Sequence, residues 1–225
     1  MWKARDNIGS VELLYSMGDD LMVVNAARVS FHKESKQMTS GDAKLIKYLA
    51  DHDHNSPFFH PQIQFRIKMP IFVAREWYRH QIGFSRNEVS RRYVDTTPEY
   101  WTPSPDEIRQ RDPKLKQGSK EEPVDNSEEL YGKIEDCSRN CVHLYEDLLK
   151  NGVAPEIART VLPQSMYTEF IETGSLSAYS RLCALRLDPT AQKEIQLYAA
   201  AVDKIMAERF PVSWAALRDV AWAKD

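Results

Sequence analysis

The sequence predicts an α+β fold. Stretches with the two-residue alternation of strands occur among stretches with helical periodicity, and their order is not the regular strand–helix–strand repeat of a doubly wound sheet. The 225 residues are 42% hydrophobic and 28% charged, a composition typical of an ordinary globular protein. A chain of this length buries a substantial core. We therefore expect residues 1–225 to form a single domain.

The N-terminal part contains the clearest strand pattern. Its predicted elements are strands at 11–15, 21–24 and 62–68 and helices that begin at Ser40 or Asp42 and at Pro70. Residues 62–68 alternate polar and apolar side chains, which predicts a strand with one face in solvent. Pro70 suits the first turn of a helix, where its missing N–H is not needed.

Helices dominate the C-terminal part. We expect helices at 128–150, from Pro155, at 175–187 and at 189–209, a strand at 163–173, and a stop at Pro211. The pattern of the 128–150 helix is strong, because its apolar residues recur at steps of four and three. They are Leu130, Ile134, Cys137, Cys141, Leu144 and Leu148. This periodicity predicts an amphipathic helix with both cysteines on its buried stripe.

A charged segment interrupts these elements at about 102–126. It contains four prolines and few large apolar residues, which is typical of a solvated loop or insertion.

Composition excludes several classes of protein. The formal net charge of −3 argues against a protein whose main task is to coat nucleic acid. No apolar run approaches the ~20 residues that a membrane-spanning helix needs, and no secretory leader is recognisable, so we expect neither membrane nor nucleic-acid partners. Three cysteines favour a reducing compartment, the cytoplasm or a host cytoplasm if the gene is viral. No two glycines are spaced as G-x-G, which excludes the glycine-rich nucleotide-binding loops.

The residues that indicate chemistry are concentrated at 70–95. Five arginines, at positions 75, 79, 86, 91 and 92, lie there with His80, Glu76 and Glu88. On a continuous helix, Arg75 and Arg79 would share one face and repel each other, which a bound anion would relieve. A solvated basic face with ordinary salt bridges explains the same spacing equally well.

The order of these residues resembles a known signature. R-H-Q at 79–81, followed by N-E-V-S-R-R-Y at 87–93, is similar to the R-H-R-x7-S signature of the flavin-dependent thymidylate synthase (ThyX) family. Further blocks in the family's order lie at 27–31, 54–58, 70–75, 158–163, 167–168, 185–187 and 191–192. The resemblance spans roughly residues 20 to 215.

This sequence departs from the family pattern at several positions. Gln81 replaces the third signature residue, and eight residues instead of seven separate it from Ser90. We expect the extra residue to fall in 83–86, where Gly83 permits a tighter path, and Arg86 to supply the charge that Gln81 lacks. Phe59, Ser175 and Ser177 stand where the family often has Glu, Asn and Arg, which affects the flavin contacts.

The resemblance implies a fold, an activity and a set of partners. The fold would be ThyX-like, with a mixed or antiparallel sheet, long helices and active sites at the subunit interfaces of a homotetramer. The enzyme would make dTMP from dUMP, taking the one-carbon unit from 5,10-methylenetetrahydrofolate and the hydride from FAD that NADPH has reduced. FAD would be the cofactor, with NADPH and the folate as co-substrates and no metal.

The resemblance also assigns roles to individual residues. Arg186, beneath the uracil, and His54, at the flavin, would be catalytic. The dUMP-binding residues would be Glu76, Arg79, Ser90, Arg91, Arg92, Arg159 and Arg186. The FAD-binding residues would be Ser30, His54, Ser56, Arg79, His80, Gln81, Asn87, Glu88, Arg181 and Gln192. A fixed cation beside the uracil suits the chemistry, because negative charge develops on its carbonyl oxygens when C5 becomes nucleophilic. No cysteine nucleophile is implied.

Two other functions fit parts of the sequence. His52, His54 and His60 could form the metal site of a hydrolase, although no second cluster of metal ligands follows. The basic segment from Arg75 to Arg92, with its neighbouring aromatic residues, could instead bind nucleic acid without catalysis. Sensitivity to chelators would indicate the first, and salt-dependent oligonucleotide binding the second.

Overall fold

A computed structural model of the chain describes residues 1–94, 96–114 and 118–221. The strands are β1 (Trp2–Lys3), β2 (Ser10–Met17), β3 (Gln62–Pro70), β4 (Phe84–Glu88), β5 (Arg109–Arg111), β6 (Ser119–Pro123) and β7 (Tyr167–Ser175). The helices are α1 (Asp20–Arg28), α2 (Ser40–Asp51), α3 (Ile71–Trp77), α4 (Ser127–Lys150), α5 (Pro155–Ala158), α6 (Leu176–Arg186), α7 (Lys193–Arg209) and α8 (Pro211–Ala221). Short 3-10 turns lie at 29–31, 56–59, 105–107 and 159–161.

One antiparallel sheet organises the chain, which confirms the α+β class. Its five strands lie in the order β1-β2-β3-β7-β4, and β5 and β6 form a separate hairpin. The alternation predicted in β3 is observed, because Ile63, Phe65, Ile67 and Met69 are fully buried. Helices α6, α7 and α8 pack together on this core, and α2 packs against α8. Each large apolar side chain buried there contributes about 2 kcal/mol.

The strand predicted at 21–24 is wrong, because these residues lie within α1. Asp19 caps the helix by accepting a hydrogen bond from the Met22 amide at 3.0 Å. Val23 and Val24 are buried, so packing outweighs their preference for strands. The cap and the buried face were both present in the sequence, but two adjacent valines favoured the strand interpretation.

The predicted stop at Pro211 is confirmed in part. Helix α7 ends at Arg209, and Pro211 is the first residue of α8. Proline is well suited to the first position of a helix, because the N–H that it lacks has no partner there. The amides of Val212 and Ser213 instead donate to the buried carboxylate of Asp20.

The segment 102–126 is more ordered than the prediction of a solvated loop. It contains the 3-10 turn at 105–107 and the β5–β6 hairpin, whereas 115–117 lie outside the described residues. The guanidinium of Arg109 donates to Glu194 of α7 at 2.6 Å, and both side chains are mostly buried. This ion pair fixes the hairpin to the helical layer.

Helix α4 forms as predicted, but its predicted buried stripe is wrong for the single chain. Cys137 is exposed and Leu144 is 49% exposed, whereas Ser138, Val142 and Tyr145 are buried. Periodicity identifies an apolar face, but it does not identify what covers that face.

Within the described residues, no helix is both long enough and apolar enough to cross a membrane.

Gly83 permits the tight turn that the longer signature requires. Its φ angle is +85°, a region that favours glycine, and a Cβ atom there would lie 2.9 Å from the Cβ atom of Ala178. Gly83 thus adopts the conformation that the expected path needs, and the position of the extra residue within 83–86 stays a prediction.

We predict that Gly83→Ala lowers the free energy of unfolding by about 2 kcal/mol, because it combines left-handed strain with a steric clash. Urea denaturation monitored by circular dichroism measures this loss. Gly132→Ala is the matched control, since nothing lies within 4 Å of a Cβ atom at this position in α4. The control should be neutral or stabilising by up to about 1 kcal/mol. Equal unfolding midpoints for the Gly83 variant and the wild type would show that position 83 does not require glycine.

Candidate active site

The first part of the signature, residues 79–81, lies in a turn between α3 and β4. Because α3 ends at Trp77, Arg79, His80 and Gln81 are outside the helix. The predicted helical pairing of Arg75 with Arg79 is therefore wrong, and Arg75 contacts Gln164 instead. This turn, residues 78–83, is called the signature turn below.

Arg186, at the end of α6, reaches the signature turn and the end of α3. Its Nε atom donates to Nε2 of His80 at 2.9 Å, and its Nη2 atom donates to the backbone carbonyl of Glu76 at 2.9 Å. Its Nη1 atom lies 3.4 Å from a carboxylate oxygen of Glu76, and its side chain is only 17% exposed. The structure thus brings Arg186 against two predicted site residues, Glu76 and His80, that lie more than 100 positions earlier in the chain.

These contacts determine the charge of His80. Burial, followed by the positive charges of Arg186, Arg86 and Arg181, lowers the pKa of His80 to about 4. The imidazole is therefore neutral near pH 7. Because Nε2 accepts the hydrogen bond from Arg186, we assign the single ring proton to Nδ1.

Arg181 contacts the other end of the signature turn. Its Nη2 atom donates to the carbonyl of Ile82 at 3.0 Å, and its Nη1 atom donates to the hydroxyl of Ser177 at 2.9 Å. Its guanidinium lies 5.9 Å from the ring centre of Phe59. Arg181 therefore contacts Phe59 and Ser177, which depart from the family pattern, and Ile82, which follows the departure at Gln81.

The residues after β4 form a compact polar turn. The amides of Tyr93 and Val94 donate to the carbonyl of Ser90 at 3.0 and 3.2 Å. The Arg92 amide donates to the hydroxyl of Ser90 at 3.3 Å. The guanidinium of Arg91 donates to the backbone of Thr96, whereas Arg92 is exposed beside the ring of Tyr93. Arg92 is thus the freer of the two cations for an external anion.

Asn87 and Glu88 lie on β4, between the signature turn and this polar turn, and are exposed. Glu88 accepts a hydrogen bond from Thr168 on the adjacent strand β7. The two signature residues are therefore presented on an edge strand of the sheet.

Five predicted site residues make no described hydrogen bond or ion pair with Arg186. Ser30, His54, Ser56, Arg159 and Gln192 are exposed. Among the described hydrogen bonds and ion pairs, none joins them to Arg186. Gln192 instead donates to Glu194, next to the β5–β6 hairpin. The described contacts therefore join Glu76, His80 and Arg186, and leave the grouping of these five residues with them a prediction.

The sequence interpretation missed Glu172, which is fully buried on β7. Its carboxylate accepts hydrogen bonds from Nε1 of Trp77 at 3.1 and 3.2 Å and forms an ion pair with Arg86. Burial raises the pKa of Glu172, and the charge of Arg86 opposes that rise. The expectation that Arg86 replaces the charge missing at Gln81 is therefore wrong, because its guanidinium is bound in the core.

The pattern of β7 contained a signal for Glu172. Thr168, Phe170, Glu172 and Gly174 share the buried face of the strand. A glutamate on such a face implies a buried partner, because an unpaired charge there is costly.

The surface around the signature turn fits a flavin dinucleotide. Ile82 is 80% exposed and Phe59 is 40% exposed, so apolar surface is available beside Arg181. Exposed Arg79, within the signature turn, supplies a cation that can bind phosphate. Apolar surface beside cations suits a planar ring system that carries anionic phosphates.

The alternative functions receive no support. Among the described residues, no group of three or more His, Cys, Asp or Glu could hold a metal ion, and His52 stacks on Tyr48 instead. The basic segment is not one continuous surface, because Arg86 is bound to Glu172 and Arg91 to the Thr96 carbonyl.

The fold and site define an α+β protein with an arginine-rich site for an anionic nucleotide at one edge of its sheet. Comparison with known families refines this class. Residues 12–212 match the model of the thymidylate synthase complementing protein family, so the chain belongs to that family.

Individual relatives agree with this assignment. The chain is 41% identical to a flavin-dependent thymidylate synthase of Thermus thermophilus, over 94% of this chain and 76% of the relative. It is 40% identical to the enzyme of that name from Thermotoga neapolitana, over 96% and 94%. A solved structure of the UMP/dUMP methylase PolB from Streptomyces cacaoi, bound with 5-Br dUMP, superposes with a TM-score of 0.86. Its sequence identity is 30%, and the match covers 96% of this chain and 97% of that one.

We predict that His80 stays neutral from pH 5.5 to 8 and titrates near pH 4. NMR titration of the histidine ring signals measures the pKa, and the signal that is missing in the His80→Gln variant identifies His80. Because the folded pKa lies below the unfolded value of about 6.5, the unfolded state binds more protons between these values. The contribution of His80 to stability is therefore complete above pH 6.5 and is lost as the pH falls towards 4.

Replacing Arg186 tests whether its positive charge lowers the pKa of His80. In Arg186→Gln the titration midpoint of His80 should rise, because one positive charge beside the ring is gone. A wild-type midpoint near 6.5, or no shift in the variant, would contradict the electrostatic explanation.

Proposed function

We propose that this protein is a flavin-dependent thymidylate synthase that converts dUMP to dTMP. The observation that carries the proposal is the position of Arg186, held by Glu76 and His80 at the signature turn. The family membership and the names of the relatives support it. FAD would be the resident cofactor, and methylenetetrahydrofolate and NADPH would be the co-substrates.

The turn at 90–93 would bind the phosphate of dUMP. Arg92 is exposed and can contact a phosphate with two parallel hydrogen bonds. Ser90 would contribute its hydroxyl, and Arg91 would contribute its main-chain N–H, since its guanidinium is already bound to Thr96. Grouped N–H donors and a cation form a suitable site for a dianion.

The uracil ring would lie against Arg186. When C5 acts as the nucleophile, negative charge develops on the ring oxygens, and a cation already held in place stabilises that charge without reorganisation. Glu76 keeps the guanidinium oriented, and neutral His80 does so without adding a competing charge. Arg79 and Arg159 would complete the pyrimidine site, with Arg159 supplied by another subunit.

FAD would be held around the signature turn and at an adjoining subunit. The proposed contacts are Ser30, His54, Ser56, Arg79, His80, Gln81, Asn87, Glu88, Arg181 and Gln192. When bound and reduced by NADPH, the flavin supplies the hydride that completes the methyl group. The exposed apolar surface of Ile82 and Phe59 would exclude water from the reacting face. His54 would contact the flavin from its exposed position after α2.

The active form would be a homotetramer with active sites at subunit interfaces. In one chain, Ser30, His54 and Arg159 are exposed and lack contacts to the Arg186 group among the described interactions. Exposed Phe31 adds apolar surface next to Ser30 in the sequence. Association of copies would bring the separated residues together, and the enzyme would act in the cytoplasm, where nucleotides are made.

A single reaction mixture tests the function. Purified protein, FAD, dUMP, methylenetetrahydrofolate and NADPH should yield dTMP, measured by chromatography, with tetrahydrofolate as the second product. A parallel mixture without NADPH should yield none. Production of dihydrofolate, or dTMP formation that is independent of flavin, would contradict the proposal.

We predict that Arg186→Ala lowers the rate of dTMP formation at least about 10²-fold while FAD remains bound. The absorbance of flavin that is retained after gel filtration separates loss of chemistry from loss of cofactor. Arg218→Ala is the control, because Arg218 pairs with Asp203 on the surface and has no proposed role at the site. Wild-type turnover in Arg186→Ala would exclude its role at the uracil.

We predict that Arg92→Ala raises the dUMP concentration needed for half-maximal rate about 10-fold or more, through the loss of charge-assisted phosphate contacts. Its maximal rate should change much less. Arg75→Ala is the matched control, since Arg75 is an exposed arginine of the same segment that contacts Gln164. An unchanged dUMP titration in Arg92→Ala would place the phosphate elsewhere.

A further inference from the structure

Helix α4 is the longest helix described and lies outside the main core. Its 24 residues span about 36 Å. No α4 residue belongs to the main cluster of buried side chains among the described residues. Its principal contacts are with α5 and the 3-10 turns at 105–107 and 159–161, which are all short. These contacts cover only one side of the helix.

An adjoining side of the helix, which is only partly covered within the chain, carries a coiled-coil repeat. Its six residues, called the α4 seam, are Leu130, Ile134, Cys137, Cys141, Leu144 and Leu148. The steps of four and three match the a and d positions of a heptad repeat, which favour contact with another helix. None of the six is fully buried within the chain, whereas the neighbouring Ser138, Val142 and Tyr145 are buried.

The α4 seam is symmetric about its centre. Read in either direction, it begins and ends with leucine, has an aliphatic residue second, and has two cysteines in the middle. An antiparallel second copy would therefore match it residue by residue. Leu130 would face Leu148 of the second copy, Ile134 would face Leu144, and Cys137 would face Cys141.

The charges beside the seam favour the same orientation. Lys133 precedes Ile134, and Asp147 precedes Leu148, so the two lie on the same flank of the seam. In the antiparallel arrangement, Lys133 of one copy faces Asp147 of the other, twice per pair of helices. In their own chain both make only exposed ion pairs, with Glu129 and Lys150, which can exchange at little cost. A parallel pair would place Lys133 opposite buried Ser138.

We propose that the α4 seam binds a second copy of this chain in antiparallel register and thereby creates a four-thiol site at the two-fold axis, with Cys137 of each copy facing Cys141 of the other. The proposal rests on the proposed self-association and adds a specific register and a chemical site to it. Facing seam positions bring Cα atoms to roughly the 4.4–6.8 Å that a disulfide needs.

A two-electron oxidant should close this site into two symmetric disulfides. With diamide, each new S–S bond forms as two thiol S–H bonds break, and the two protons and two electrons reduce the N=N bond to a hydrazine. Burial and the neighbouring Cys137 raise the pKa of Cys141, so the reaction should accelerate as the pH rises. Cys183 is fully buried and should not participate.

Crosslinking of single-cysteine variants tests the register. After diamide treatment, wild type should migrate at twice the mass of the chain on a non-reducing gel. Cys137→Ser and Cys141→Ser should each lose this band at least 10-fold, because each remaining thiol then faces a serine. Co-expression of the two variants should restore the band, since Cys141 of one chain meets Cys137 of the other. Crosslinking of either variant alone would overturn the antiparallel register.

Association measured by light scattering tests the surface independently of the thiols. Leu144→Glu should weaken association at least 10-fold, whereas His143→Glu, beside it on the solvent side of the helix, should not. Lys133→Asp should weaken association, and Lys133→Asp with Asp147→Lys should restore it. If the variants do not follow this pattern, the α4 seam is not the surface through which the copies associate.

These measurements do not depend on catalysis, so the two proposals can fail separately. Formation of dTMP without crosslinking would contradict the α4 site and leave the function intact. Crosslinking in the predicted pattern without dTMP formation would support the α4 site and contradict the proposed function.

Discussion

The hydrogen bonds from two arginines of α6 to the signature turn are the interactions on which the site depends. Arg186 binds His80 and the end of α3, and Arg181 binds the carbonyl of Ile82. Within the turn, the amides of His80 and Phe84 donate to the carbonyls of Trp77 and Gln81, and Gly83 adopts a left-handed conformation. Tertiary contacts from α6 add to this local structure and fix the turn against the helical layer. Since β4 follows the turn directly, its pairing with β7 presents Asn87 and Glu88 from the same fixed point.

The positive charges of this region are divided into two groups with different tasks. Arg86 is neutralised in the core by Glu172, which pairs with it across β4 and β7 and also accepts from Trp77. A buried ion pair contributes little net stability, because desolvation offsets its attraction, but removal of one partner is costly. It therefore acts mainly to fix strand β4 against β7. Arg181 and Arg186 instead contact the signature turn, where burial and the charges of Arg186, Arg86 and Arg181 keep His80 neutral.

The parts of the fold that could be predicted are those whose cause is local. The alternation of β3 and the periodicity of α4 lie within one element, and both elements form where the sequence predicts them. Strand β4 was not predicted, because its residues lack apolar alternation and it forms through pairing with β7, some 86 positions away. The same limit applies to the site. The family resemblance names Arg186 and His80, but only the structure shows that they share a hydrogen bond, and no pattern within the signature reveals that Arg86 belongs to the core.

The arginines around the signature turn explain why a neutral residue fits at position 81. Arg79, Arg181 and Arg186 already lie in or against the signature turn, and the last two lower the pKa of His80. A further cation at position 81 would add repulsion among charges that are partly withdrawn from water, where Coulomb interactions are strong. Arg181 contacts the carbonyl of Ile82, the residue next to Gln81, so α6 places a cation against the same stretch of backbone. The signature turn thus keeps a cation beside it although position 81 is neutral.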